Sequence, residues 1–170
     1  FDEILTKKIV KKSPIIMDIG ANRGQSINRF LKLFDEPIIH SFEPISKEFN
    51  ILKNKFGEKK NINLNNFALG EKREIKLLNV TQKSENSSFN KINLGTDWIR
   101  ARSKEYQVDE KNYVDTQQKV NVDTLDAYVE DQNIKEIDIL KIDTQGYEDK
   151  VLSGCSNMIK NNKVAVIITE

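Results

Sequence analysis

Asp18, Gly20, Asn22 and Gly24 fall within one short stretch, Asp18-Ile19-Gly20-Ala21-Asn22-Arg23-Gly24. It lies between the apolar run Ile15-Ile16-Met17 and the segment Gln25-Ser26-Ile27-Asn28-Arg29-Phe30-Leu31. A strand that feeds a glycine-bearing turn and then a helix sets backbone N–H groups at the carboxyl edge of a sheet, where nucleotide-like ligands bind. Asp18 at the strand end would repel a phosphate and suits an amine or another cation. Gly20 permits the tight reversal, and Gly24 is expected to let helix and ligand approach closely. Twenty-five residues after Asp18, Glu43 closes a second apolar run, Ile38-Ile39-His40-Ser41-Phe42. A carboxylate at the tip of the second strand is the expected partner of the two ribose hydroxyls. An adenosine ligand with a cationic tail and no phosphate describes S-adenosylmethionine, and the chemistry it carries is methyl transfer. A dinucleotide fingerprint would want glycine at 20, 22 and 25, where this chain has Asn22 and Gln25 in the last two places.

The second chemical cluster lies far along the chain. Asp143 ends the apolar run that starts at Asp138, at the expected switch point beside the first strand, facing the transferred methyl. Lys141, two residues earlier, points to the same side. An inward lysine paired with Asp143 or Glu148 would hold that carboxylate ionised and oriented. Glu148 falls in the first turn of the next helix, where the dipole favours a negative charge whatever the function. A hydroxyl acceptor must lose a proton. The only histidine, His40, sits mid-strand and is expected to be internal. The base is then Asp143 or Glu148, or a water after transfer. No His/Cys/Asp cluster has metal-ligand spacing, and Cys155 reads as a small buried hydrophobe.

Elements to position these groups follow from periodicity. Ile15 to Ile19 reads as a strand, and Ile27, Phe30, Leu31 and Phe34 form the stripe of a helix that faces a sheet. Ile38 to Phe42 is the second strand, stopped by Pro44. Ser46 is expected to cap the next helix, with Phe49, Leu52 and Phe56 as its apolar face and Gly57 as its stop. Asn61 to Ala68 reads as strand three, placing Asn66, Phe67 and Ala68 where an adenine would rest. Arg73 to Val80 and Gln117 to Val122 both alternate, so they are expected to pair antiparallel at a sheet edge. Between them lie roughly 35 polar residues with Phe89, Trp98, Tyr106 and Tyr113. A connection that long (81–116) is either a mobile surface insert or a lid whose aromatic residues stack on the acceptor. Thr124 to Tyr128 starts a short helix, Gly146 to Leu152 begins another, and Val164 to Thr169 reads as a buried final strand.

Length and charge bound the rest. The 170 residues are expected to form a single domain, 1–170, with 1–13 as a lead-in helix. The 27 basic and 26 acidic residues nearly cancel, which gives no global field toward nucleic acid or membrane. No apolar stretch approaches the ~20 residues of a membrane span, and no signal-peptide core is visible. The single cysteine excludes an internal disulfide and suits a reducing compartment, so a cytoplasmic protein is expected. The pairs Lys7-Lys8 and Lys11-Lys12 are expected on a solvated helix face. The start at Phe1 and the stop at Glu170 are what a segment of a longer protein would show. An apolar final strand left at a sheet edge would favour a homodimer.

Taken together, the segments resemble the FkbM family of class I methyltransferases. The matching stretches are Met17 to Gly24, Ser41-Phe42-Glu43-Pro44, Asn66-Phe67-Ala68-Leu69-Gly70, Val122-Asp123-Thr124-Leu125-Asp126 and Leu140-Lys141-Ile142-Asp143-Thr144-Gln145-Gly146-Tyr147-Glu148. Val151-Leu152-Ser153-Gly154 and Ile167-Ile168-Thr169-Glu170 also fit. The resemblance implies an α/β, Rossmann-like, mostly parallel sheet with helices on both faces and an antiparallel hairpin insert. Its last two strands would follow Glu170. It implies O-methyl transfer from S-adenosylmethionine to a small-molecule or glycan acceptor. The cofactor would be held by Asp18, Gly20, Ala21, Asn22, Gly24, Gln25, Ser26, Glu43, Pro44, Asn66, Ala68 and Asp143, with Asp143, Lys141 and Glu148 at the reacting end. Two alternatives are a non-catalytic methyltransferase-like binding domain of a larger protein and an NAD-dependent dehydrogenase. Retention of Asp18, Glu43 and Asp143 together favours the enzyme.

Overall fold

A computed structural model describes residues 2–91, 93–109 and 113–169. Phe1, the last residue Glu170, and positions 92 and 110–112 of the insert lie outside the described residues. The main sheet joins β1 (Ile15–Ile19), β2 (Ile38–Phe42), β3 (Ile62–Asn65), β7 (Ile137–Ile142) and β8 (Val164–Thr169). Their order is β3-β2-β1-β7-β8, and every neighbouring pair is parallel. The order reverses between β1 and β7, the switch point at which open α/β sheets bind ligands.

Helices cover both faces, and alternation along the strands explains why. Ile16, Ile39 and Ile139 pack on one side against Leu5, Ile27, Phe30, Leu52 and Phe56, from α1 (Asp2–Lys8), α2 (Gln25–Leu33) and α3 (Ser46–Phe56). Met17, Phe42, Leu140 and Ile142 point the other way. They meet Leu125 and Tyr128 of α5 (Leu125–Asp131), Val151 of α6 (Glu148–Ser153), Met158 of α7 (Ser156–Lys160) and Cys155 between the last two helices. The buried strands run apolar on both faces, as parallel strands between two helical layers must.

Several boundaries differ from the pattern reading. The helix opening at Ser46 has Ile45 at its cap position and no side-chain cap bond. The cap role falls instead to Glu43, whose Oε1 accepts the Ile45 N–H at 2.8 Å. Phe49 is only half-buried while Glu48 is buried, because Arg23 supplies Glu48 with a partner. The third strand ends at Asn65. Ala68–Leu69 (β4) leaves the main sheet and pairs with β6 (Val114–Asp123), which in turn pairs antiparallel with β5 (Glu74–Thr81). The two alternating segments do pair as expected, but they form a second sheet, β4-β6-β5, rather than an edge of the first. Its apolar side, Leu78, Val80, Val120 and Val122, packs on Ile45 and Ala68.

The final strand is not buried as its composition suggests. β8 alternates half-buried and exposed residues, with Ile167 42% exposed, because it is the outer strand and pairs with β7 alone among the described strands. The lead-in helix stops at Lys8, so Lys11 and Lys12 fall beyond it, and Lys11 pairs with Asp138 at 2.7 Å. Within the insert, a 3-10 turn spans Ser84–Asn86, and α4 (Asp97–Tyr106) is capped by the Thr96 hydroxyl accepting the Ile99 N–H.

Candidate active site

The turn from β1 to α2 is left-handed at three places, Gly20 (φ 78), Asn22 (φ 46) and Gly24 (φ 85). A Cβ on Gly20 would lie 1.9 Å from the Asp143 carbonyl oxygen, so glycine is required where this turn meets the end of β7. Gly24 serves a different end from the one expected. Its Cβ would meet the Phe56 ring at 2.4 Å, so it admits α3 against the turn rather than a ligand, and it does not line the cavity.

A cavity of about 360 Å³ opens over this turn. Gly20, Ala21, Asn22, Gln25 and Ser26 form one wall, and Glu43, Pro44 and Ala68 form another. Phe42, Ile45, Leu69 and Leu78 supply an apolar part. Asn66 stays outside. Its side-chain amide donates to the Glu43 and Pro44 carbonyls at 2.9 and 3.3 Å and braces the turn after β2. Phe67 packs against Phe42 and Tyr128 instead of the cavity.

Glu43 is 3% exposed and accepts two backbone bonds of 2.8 Å, from Asn22 N–H to Oε2 and from Ile45 N–H to Oε1. Burial pushes its carboxyl up to about 7 despite those two donors. Each oxygen keeps a further lone pair for a hydroxyl donor. Asn22 donates its side-chain amide to Ser84 Oγ at 3.1 Å, yet its Oδ1 is buried without a hydrogen-bond partner. An orphaned acceptor on a cavity wall fits a cationic or N–H-bearing guest.

Asp18 is fully buried and does not reach the cavity. It accepts from Ser26 Oγ at 2.6 Å, while Lys141 Nζ stands 3.3 Å from its other oxygen. Its partners are thus a helix hydroxyl and the β7 lysine, rather than the amides of its own loop. Lys141 also donates to the Gly20 carbonyl at 2.9 Å and lies 3.6 Å from Asp143 Oδ2. Asp143 and Lys141 both line the cavity. Glu148 does not join them. Its Oε1 takes Thr144 N–H at 2.8 Å, Thr144 Oγ1 at 3.0 Å and Gly146 N–H at 3.2 Å, which makes it the brace of the turn after β7. Burial works to raise the Glu148 carboxyl, but the backbone donors outweigh it and hold it below its ordinary value.

The insert contributes Ser84, Glu85, Ser87 and Phe89 to the cavity. Of the four aromatic residues noted in its sequence, only Phe89 does so. Trp98, Tyr106 and Tyr113 gather with Arg102 in a cluster of their own. The first part of the insert is tied to both turns of the site. Ser84 meets Asn22, Ser88 Oγ donates to the Gln145 carbonyl at 2.8 Å, and Asn90 donates to the Gly146 carbonyl at 2.6 Å.

Residues that pattern reading missed are Gln145, the insert serines and the Arg23–Glu48 pair, which is 2.7 Å apart with Glu48 2% exposed. Gln145 carried one usable signal, a polar residue just before glycine at a strand-to-helix turn. The insert carried none, since it has no apolar period. His40 is internal, 2.8 Å from the Tyr128 hydroxyl, and burial lowers it to about 4. Cys155 is fully buried, and burial raises its thiol to about 12. Among the described residues no helix is long and apolar enough to cross a membrane.

A parallel sheet ordered β3-β2-β1-β7-β8, with a glycine turn after β1 and a carboxylate just beyond β2, is a Rossmann-like arrangement. The chain matches the family described as Methyltransferase FkbM domain over residues 18–170, and it belongs to that family. Comparison with curated proteins and with solved structures finds no match.

Proposed function

We propose that this methyltransferase uses S-adenosylmethionine and acts on a hydroxyl of a small-molecule or carbohydrate acceptor. The observation that carries the reading is one cavity at the switch point. It unites the buried Glu43 carboxylate, the partnerless Asn22 Oδ1 and the Asp143 carboxylate. Its volume and mixed polarity suit an adenosyl amino acid. Glu43 would take the ribose hydroxyls, Asn22 the ammonium end, and the Ile45, Ala68 and Leu78 side the adenine. When bound, the cofactor supplies an electrophilic methyl on a sulfonium that departs as a neutral thioether with the electron pair of the broken bond. The acceptor oxygen gains the methyl and gives its proton to Asp143, the cavity carboxylate beside Lys141. Positioning that oxygen in line is the protein's main contribution.

Calorimetry with S-adenosylhomocysteine and with NAD tests the cofactor, and transfer of labelled methyl to a panel of sugars and glycans tests the reaction. Binding of S-adenosylhomocysteine together with methyl transfer supports the proposal. Binding without transfer to any hydroxyl acceptor favours a binding domain, and NAD binding alone would overturn both.

A further inference from the structure

Gln145 occupies a backbone conformation that its side chain disfavours. Its φ is 54°, in the left-handed region, and Gly146 follows at 92°. Gln107 takes a similar φ as the C-cap of α4, so the conformation alone assigns no role, and what sets Gln145 apart is the contacts around it. The surroundings are on hand. The 6%-exposed Ser88 donates its hydroxyl to the Gln145 carbonyl, Asn90 donates its side-chain amide to the Gly146 carbonyl, and Glu148 accepts the Gly146 N–H. The left-handed backbone turns the Gln145 side chain back along the chain, where Nε2 donates to Asp143 Oδ1 at 2.8 Å.

The Asp143 carboxylate thus takes a side-chain hydrogen bond from Gln145 at Oδ1, while the Lys141 ammonium, itself bonded to the Gly20 carbonyl, lies 3.6 Å from Oδ2 as an ion-pair partner. A directional hydrogen bond at one oxygen biases the plane of a short carboxylate, and the cation near the other oxygen favours its ionised form.

We propose that Gln145 is a positioning residue that orients Asp143 toward the acceptor hydroxyl, with Ser88 of the insert locking it in place. The inference rests on the methyl-transfer reading, in which Asp143 receives the proton. It assigns the left-handed geometry a task. Gln145 does not itself touch the reacting atoms.

Gln145→Gly separates the task from mere structure, because glycine relieves the strain while removing the amide. The expected result is a melting midpoint equal to or above wild type and unchanged S-adenosylhomocysteine affinity. The maximal transfer rate should fall roughly ten- to a hundredfold, the scale for a misplaced catalytic group. Gln145→Asn tolerates the left-handed conformation but is one methylene too short, and it should lose rate similarly. A readout free of any acceptor is the Gln145 side-chain amide in 15N–1H spectra. One of its protons should lie downfield in the wild type and move upfield in Asp143→Ala. Wild-type rates in Gln145→Gly, weakened S-adenosylhomocysteine binding in either variant, or an amide signal indifferent to Asp143→Ala would each overturn the inference. Failure of the wild-type protein to bind S-adenosylhomocysteine would instead strike the cofactor reading itself.

Discussion

Lys141 stands 3.3 Å from Asp18 and 3.6 Å from Asp143, so one ammonium on β7 joins the carboxylate beneath the glycine turn to the carboxylate in the cavity. Asp18 is fully buried, and a charge so placed is tolerated only with partners. Here they are Lys141 and Ser26.

Lys141→Met should accordingly act on stability before it acts on rate. Removing one partner of a buried pair strands the other, at a cost of about 3 kcal/mol. Urea unfolding measures it, and Lys141→Met combined with Asp18→Asn should recover part of the loss. A single-variant loss below about 0.5 kcal/mol, the range of ordinary surface substitutions, would show that the pair is not structural.

Glu43 predicts an unusual pH dependence. Its carboxyl is about 7 in the folded chain against an ordinary 4.5, so between those values the native state holds a proton the unfolded chain has released. Stability therefore falls as the pH rises from 4.5 to 7, by about 3 kcal/mol in all. Glu43→Gln should flatten that slope. Ribose hydroxyls are better met by the ionised form, so S-adenosylhomocysteine affinity should climb as the pH rises through 7. Glu43→Ala should weaken that affinity by roughly 2–3 kcal/mol. Calorimetry at several pH values checks both.

Asp143→Asn should leave cofactor affinity within about a factor of ten and slow transfer by ~10²-fold or more, the usual scale for losing a general base. Single-turnover transfer beside a binding titration decides it. A wild-type rate would move the base elsewhere.

Gly24→Ala should destabilise the fold by about 3 kcal/mol, since a left-handed alanine and a clash with Phe56 add. Phe56→Leu should return part of that loss. If S-adenosylhomocysteine affinity of the folded variant also collapsed, Gly24 would be facing ligand after all.

Most of the main sheet was legible because its central strands are short, largely apolar runs between turn residues, and Ile15 to Ile19 and Ile38 to Phe42 match residue for residue, whereas β3 alternates Ile-Asn-Leu-Asn. The break after Asn65 was hidden, since the choice of a second sheet for Ala68 depends on β6, some 50 residues away. The placement of Val164 to Thr169 was misread for a related reason. Composition reports how apolar a strand is, and only pairing reports whether a neighbour covers it. In the site, Glu43 and Asp143 could be found because each ends a strand. Gln145 and Ser88 act through one left-handed turn and one carbonyl, features that leave no periodic trace.

The docking of Ser84 on Asn22 and of Ser88 on Gln145 has a bearing on how such a protein can diversify. The segment that lines the cavity with Ser84, Glu85, Ser87 and Phe89 is also fastened to the turn that would grip the cofactor and to the one that would orient Asp143. On the function proposed above, a lineage that reshapes this loop for a new acceptor would disturb its grip on the cofactor in the same stroke. Grafting the loop between relatives should succeed only when positions 22 and 145 travel with it.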